Sequence, residues 1–286
     1  MTKIFYPVFL LLLLSAFSTE PAGFQEPKKG NLWLTTGDGA IRLRQMESVE
    51  FKKRGDSKAP VIEIDATKEY QKILGFGATM TGSSAYILDH HLNDQHRKEV
   101  MDSLFSREHG IGLSYLRMTI GASDFSTHTF SYNDPPEGMT DTKLKYFSID
   151  PDRQRLIPRL KEAMKINPDI EIMGSPWSAP AAWKTTGSMI GGKLKSNVQP
   201  AFANYFVQYI NNFAAAGVKI SAITIQNEPE FEPKGYPGML MTAEEQRDFI
   251  KTFLGPRFQE HEIKTKIVVY DKNLDNQTYY ITIIED

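Results

Sequence analysis

The pattern of apolar and polar positions changes character near Tyr70. Before it the apolar runs are short and alternating: Leu32-Trp33-Leu34, Ile41-Arg42-Leu43, Val49-Glu50-Phe51 and Val61-Ile62-Glu63-Ile64-Asp65, broken by Gly37-Asp38-Gly39 and Gly55-Asp56. Alternation with turn residues between the runs predicts short antiparallel strands. Beyond Tyr70, strand-length apolar runs alternate with longer helical segments. Ile73-Leu74-Gly75-Phe76-Gly77-Ala78 precedes helical patterns over 83–88 and 94–105, and Ser114-Tyr115-Leu116-Arg117-Met118-Thr119-Ile120 precedes a long loop and one over 151–165. Ile170-Glu171-Ile172-Met173 leads to a helical pattern over 200–216, residues 222–226 lead to one over 242–254, and Lys266-Ile267-Val268-Val269-Tyr270 forms a fifth strand. Repeated strand-then-helix units predict a parallel sheet covered by helices.

A doubly wound open sheet and part of an eight-stranded β/α barrel both accommodate such units. The open sheet is usually marked by a Gly-rich first turn, but Gly75-Phe76-Gly77 lacks the third glycine and runs into Thr79-Met80-Thr81-Gly82. Instead, successive strands end in polar or aromatic residues and long loops: Arg117 then Asp124, Trp177 and Trp183, Asn227-Glu228, Asp271. Functional groups collected at the C-terminal ends of several strands favour the barrel. The expected fold class is therefore α/β: a (β/α)8 TIM barrel, represented by about five βα units.

Composition narrows the picture. The 286 residues are 41% hydrophobic and 24% charged, which suits one large globular domain or a barrel with a small appendage. The net charge of -2 comes from 33 basic and 35 acidic residues that are well mixed, so no basic stripe tracks a phosphate backbone and nucleic acid is not an expected partner. Lys3, an apolar stretch over 4–17, and then Ser18, Thr19 and Glu20 read as a secretory signal peptide, too short for a membrane span. The predicted layout is a signal peptide over 1–22, N-terminal β-strands over 23–68 and a partial barrel over 69–286. The expected location is secreted or periplasmic, with no stable membrane span after cleavage. There is no Cys, hence no disulfide or lipid-anchoring thiol, and stability must come from the core.

The most informative stretch is Ile223-Thr224-Ile225-Gln226-Asn227-Glu228-Pro229-Glu230, a buried-strand pattern that delivers an Asn-Glu pair and is cut off at once by proline. Proline has no N–H to continue a ladder and biases the preceding residue toward extended backbone. A carboxyl at the mouth of a strand is a candidate acid/base; taken alone, the octapeptide reads equally as a polar turn. Trp177 and Trp183, in the Pro-rich loop Ser175-Pro176-Trp177-Ser178-Ala179-Pro180-Ala181-Ala182-Trp183-Lys184, are either loop packing or a flat platform for a ligand. Paired carboxyls, hydroxyl-binding groups and aromatic rings together are what a sugar site needs. Asp89-His90-His91 with His96 falls at helix ends in a polar stretch without metal-type spacing and reads as solvated surface. No metal or cofactor is expected, and no Gly-x-Ser-x-Gly supports a serine hydrolase.

Five motifs stand in order along the chain: Gly75-Phe76-Gly77-Ala78-Thr79-Met80-Thr81, the run from Leu116-Arg117-Met118 through Ser123-Asp124-Phe125-Ser126, Ser175-Pro176-Trp177-Ser178-Ala179-Pro180, Lys193-Leu194-Lys195, and Thr224-Ile225-Gln226-Asn227-Glu228-Pro229. In order and spacing they resemble family 30 of the glycoside hydrolases, in particular its glucosylceramidase-like members. The resemblance runs from Leu32 onward and implies a β/α barrel with an attached β-sandwich, to which the N-terminal strands contribute. It also implies hydrolysis of β-glycosides with retention, a glycolipid or a β-1,6-linked glucan being the expected substrate. Carried onto this chain, it makes Glu228 the general acid/base, Asn227 a partner for the sugar 2-hydroxyl, and Trp177 the ring platform. Arg117 and Asp124 would line the glycone pocket, with Phe125 and Tyr236 on its wall. The alternative for Arg117 is a barrel-core ion pair. Retention requires a second carboxylate about 5–5.5 Å from the first; the family's nucleophile is a Glu ending barrel strand seven, and no acid within residues 1–286 matches that motif. Glu230 and Glu232 lie too close in sequence to face Glu228 across a sugar, and Asp271 reads as a supporting hydrogen-bond partner. An inactive fragment or a carbohydrate binder is the reading outside catalysis.

Overall fold

A computed structural model describes residues 28–52, 55 and 58–285. The expected signal peptide over 1–22 lies outside the described residues. The chain divides after Tyr70 into two units.

The first unit carries two short antiparallel ladders. Strand β1 (Lys29–Gly30) pairs with β4 (Val49–Glu50), and β2 (Trp33–Leu34) pairs with β3 (Arg44–Gln45). The Gly37-Asp38-Gly39 turn forms as expected: Gly39 adopts a φ of 70°, and the Asp38 carboxylate accepts from the Thr36 hydroxyl and the Ala40 N–H. Two expectations fail. The strand predicted at Ile41-Arg42-Leu43 lies at Arg44–Gln45, because Leu43 takes a φ of 41°, which ends extended backbone there. Val61-Ile62-Glu63-Ile64-Asp65 forms no strand; Val61, Ile62 and Ile64 are exposed, so its alternation buries no face.

The second unit is built on one parallel sheet of β5 (Gly77–Met80), β6 (Tyr115–Thr119), β7 (Glu171–Ser175), β8 (Ala222–Thr224) and β9 (Lys266–Val268). Each strand lies beside the one before it in the chain. That order decides between the two candidate architectures, because a doubly wound sheet reverses at a switch point and a barrel does not. The helices α1 (Gly82–His90), α2 (Asp94–Phe105), α3 (Asp150–Arg153), α4 (Leu156–Ile166), α5 (Gln199–Ala215), α6 (Ala243–Phe249), α7 (Gly255–Glu260) and α8 (Gln277–Ile284) follow. Leu116, Met118, Ile172 and Ile223 of the central strands are fully buried, as are Phe202, Phe206 and Phe213 of α5. Each such aromatic contributes roughly 1.5–3 kcal/mol.

Several boundaries differ from the periodicity. The first barrel strand begins at Gly77 rather than Ile73, and Ile73, Leu74 and Phe76 are exposed. Gly77 lies against the Tyr115 carbonyl, where a Cβ would overlap the partner backbone. The segment 151–165 breaks at Gln154 and Arg155, where Arg155 leaves helical geometry (φ -123°, ψ -69°). The segment 242–254 extends to Glu260 through a π turn at Ile250–Leu254, just ahead of Pro256. Proline supplies no N–H to the helical ladder, and a local change of winding absorbs the loss.

Candidate functional site

The C-terminal ends of β6, β7, β8 and β9 converge on one hydrogen-bond network. Arg117 Nη2 donates to Asn227 Oδ1 (2.6 Å) and to Asp271 Oδ2 (2.7 Å) and lies 3.0 Å from Ser175 Oγ. Ser175 Oγ donates to the same Asp271 oxygen (2.5 Å), and the Thr224 hydroxyl lies 2.7 Å from Ser175 Oγ and 2.9 Å from Asp271 Oδ2. The guanidinium carbon sits 4.5 Å over the Trp177 ring. Stacking on one face and an ion pair at the edge immobilise a side chain that otherwise carries much rotamer freedom. Both readings of Arg117 are thus partly realised: it pairs with the Asp271 carboxylate inside the barrel mouth, and it also faces the cleft.

That cleft encloses about 360 Å³ and is lined by Arg117, Asp124, Phe125 and Trp177, with Thr79, Thr81 and Ser84 of the first strand and helix. Strand register explains part of this, since Thr79 lies directly beside Arg117 in the β5–β6 ladder. The turn after β6 fixes the next two: Ser123 N–H donates to Ser126 Oγ and Phe125 N–H to Ser123 Oγ. Phe125 stands 61% exposed on the rim, whereas Trp177 is buried against the arginine. Tyr236 comes from the loop after β8; partial burial, then the nearby Glu228 and Asp124 carboxylates, hold its hydroxyl above the ordinary tyrosine range. All seven residues singled out in the sequence, Arg117, Asp124, Phe125, Trp177, Asn227, Glu228 and Tyr236, gather at this end of the sheet.

Glu228 is placed by its backbone. Asn227 N–H donates to the Pro176 carbonyl (2.8 Å), Glu228 N–H to the Asp271 carbonyl (2.8 Å), and Phe231 N–H back to the Glu228 carbonyl (2.9 Å). Under these constraints Glu228 has a φ of 45°, in the left-handed region, not the extended geometry expected of a residue before proline. Such a conformation costs on the order of 1–3 kcal/mol and persists only where its surroundings over-determine it.

Other sequence expectations are corrected or refined. Trp183 is no platform: it is fully buried and packs edge-on to Phe202 and Tyr205. Glu230 accepts from Tyr270, Lys272 and Asn276, and Glu232 accepts from the Gly192 N–H. Asp89 pairs with Arg159 (3.3 Å) and His90 stacks on Tyr86. Sequence reading missed Ser175, Thr224, Thr79, Thr81 and Ser84. The available signal was polar residues in otherwise apolar strands, together with Thr81-Gly82-Ser83-Ser84 as a helix start; Thr81 does cap α1, accepting from the Ser84 N–H.

Against known proteins, residues 73–285 match the model for the glycosyl hydrolase family 30 TIM-barrel domain, and the chain belongs to that family. A putative glucosylceramidase 3 of Caenorhabditis elegans is 33% identical over 263 residues, covering 88% of this chain and 49% of that protein. An endo-1,6-beta-D-glucanase of Neurospora crassa is 31% identical over 290 residues, covering 98% of this chain and 58% of that protein. Among solved structures, the endo-beta1,6-glucanase BT3312 superposes with a TM-score of 0.78 at 31% identity, over 90% of this chain and 56% of that one. The chain spans about half the length of the curated relatives it matches.

Proposed function

We propose that this end of the barrel is the acid/base half of a retaining β-glycoside hydrolase site of the glucosylceramidase-like type, with Glu228 as the proton donor and later acceptor. The observation that carries the reading is a carboxylate in strained left-handed backbone at the end of β8, pinned from β7 and β9 and set beside an Arg117–Trp177 stack. In this reading Trp177 presents an apolar face to the pyranose, and Asn227 Oδ1 or Nδ2 meets the 2-hydroxyl while Arg117 fixes the amide. Asp124 accepts from the outer hydroxyls, and Phe125 and Tyr236 form the wall. The carboxylate opposite Glu228 is not assigned within residues 28–285; Asp271 already accepts from Arg117, Ser175 and Thr224 on one oxygen.

The same site suits a β-1,6-glucan, and the relatives named endo-1,6-glucanases favour that as the second reading. Export is part of the proposal and rests on the apolar leader over 4–17; among the described residues no helix is long and apolar enough to cross a membrane. The test measures hydrolysis of phenyl β-glucoside and 2,4-dinitrophenyl β-glucoside by a full-length form that includes the strand bearing the nucleophile, with and without Glu228→Gln. Loss of the general acid is expected to slow the poorly activated phenyl substrate by about 10²–10⁴-fold and the activated one far less. Equal rates for wild type and variant on the phenyl substrate would overturn the assignment. Products from gentio-oligosaccharides and from glucosylceramide separate the two substrate readings.

A further inference from the structure

The loop after β7 buries a lysine that the site chemistry does not use. Lys184 is completely inaccessible to solvent. Its ammonium donates to three acceptors from three segments: Ser178 Oγ (2.9 Å) beside Trp177, the Met189 carbonyl (3.2 Å), and the Gly238 carbonyl (2.6 Å) two residues beyond Tyr236. Ser178 spends its own proton on the Ala179 carbonyl (2.8 Å), so toward Lys184 it acts only as acceptor. The same segments are laced by backbone bonds. Gly238 N–H donates to the Met189 carbonyl and Leu240 N–H to the Gly192 carbonyl, while Lys184 and Leu194 form an antiparallel bridge. The loop bearing Trp177 and the loop bearing Tyr236 therefore meet on one buried ammonium group.

We propose that Lys184 is a positioning residue that sets the separation of Trp177 and Tyr236 across the cleft, and through it the affinity for a glycoside. The proposal rests on the glycoside-binding reading given above. An ammonium carries three protons for its three acceptors, whereas a neutral amine carries two and turns a lone pair toward the third. Burial pushes the Lys184 amine down to about 7, and the Glu232 carboxylate acts in the opposite direction. Glu232 is the charged group facing it from the loop after β8; the other partners are a hydroxyl and two carbonyls. Without the ammonium, the Gly238 carbonyl and Ser178 Oγ lose this donor while the Met189 carbonyl keeps the Gly238 N–H, and the loops must part to admit water to the groups left unpaired.

The test uses the chain as it stands, with calorimetric binding of phenyl β-glucoside and amide hydrogen exchange. Lys184→Met is expected to weaken binding by at least about tenfold at pH 6, the scale of one lost charged hydrogen bond, and to speed exchange over 185–194 and 236–240 while α5 stays protected. Wild-type affinity is expected to fall as pH rises through about 7, and the Lys184→Met affinity to stay flat over that window. Should Lys184→Met not fold, Ser178→Ala, which removes one acceptor, is expected to weaken binding by about threefold and loosen the same segments. Wild-type binding and exchange in the variant that folds would overturn the proposal. If the wild type binds no glucoside, the glycoside reading fails, and unchanged exchange at 236–240 in the variant would then show separately that Lys184 holds no loops together.

Discussion

Asp152 is buried with no cation beside it among the described residues, and that makes its ionisation a measurable term in stability. The Tyr132 hydroxyl donates to its carboxylate, and Tyr205 and Tyr209 surround the pair. Burial raises its pKa from 3.8 to about 6, and the Tyr132 hydrogen bond offsets only part of that. A folded-state value above the unfolded one means that the native protein binds the extra proton between those limits. The contribution to stability is therefore fully present below pH 3.8 and is lost as pH rises through about 6. At about 1.4 kcal/mol for each pH unit, the loss approaches 3 kcal/mol. Asp152→Asn keeps an acceptor for Tyr132 but cannot ionise. Relative to wild type, the variant is expected to gain up to about 3 kcal/mol between pH 4 and pH 7.5. The surface acids with lowered values, such as Asp38, Asp150 and Asp275, contribute the opposite slope. They titrate alike in both proteins, so the difference between the two isolates Asp152. Any fixed cost of the new amide shifts that difference by a constant and leaves its slope. Urea unfolding followed by tryptophan fluorescence at four pH values measures it; a pH-independent difference would refute the argument.

Three further outcomes are expected. Arg117→Met leaves the partly buried Asp271 carboxylate without its cation and is expected to cost about 3–5 kcal/mol in denaturant unfolding, with glucoside binding lost. Gly174→Ala would set a methyl against the Tyr209 hydroxyl and 2.9 Å from its ring; about 1–3 kcal/mol of destabilisation is expected from overpacking, read as a lowered Tm. Glu228→Gly relieves the left-handed strain at φ 45° and is expected to raise stability by up to about 1 kcal/mol while abolishing the proposed turnover in a full-length form that carries the nucleophile, so that thermal melts and glycosidase assays move in opposite directions.

What was legible in the sequence follows from which forces act locally. Helix α2 spans Asp94–Phe105, the predicted range, because Asn93 is a side-chain cap that accepts from the His96 N–H and the apolar positions fall on one face. Arg117 and the Asn227-Glu228 pair drew attention because they lie in or just past apolar strands, where a barrel collects its chemistry, whereas the roles of Asp124, Phe125 and Tyr236, in the loops beyond, were pointed to only by the family resemblance. Trp183 stayed ambiguous since a loop tryptophan looks the same in sequence whether it faces a ligand or, as here, the α5 aromatics. Asp152 was invisible for a related reason: Asp150-Pro151-Asp152-Arg153 looks like a solvated helix start, and only tertiary packing brings Tyr132 onto its carboxylate.

Glu228 shows how a sound local rule is overridden. A following proline disfavours helical backbone in the residue before it, here Glu228, and points to an extended strand end; Asn227, one residue earlier, does bridge in parallel to Asp271. One residue later, the Asp271 carbonyl captures the Glu228 N–H and the Phe231 N–H captures the Glu228 carbonyl, which turns the chain through φ 45°. Two hydrogen bonds of about 1 kcal/mol each suffice to offset a left-handed penalty of similar size. One partner, Asp271, lies 43 residues downstream in sequence, so no local rule can anticipate it. The strain is thus set by the segment just past β9, and the backbone of the proposed acid/base Glu228 is held by Asp271, whose own carboxylate accepts from Arg117.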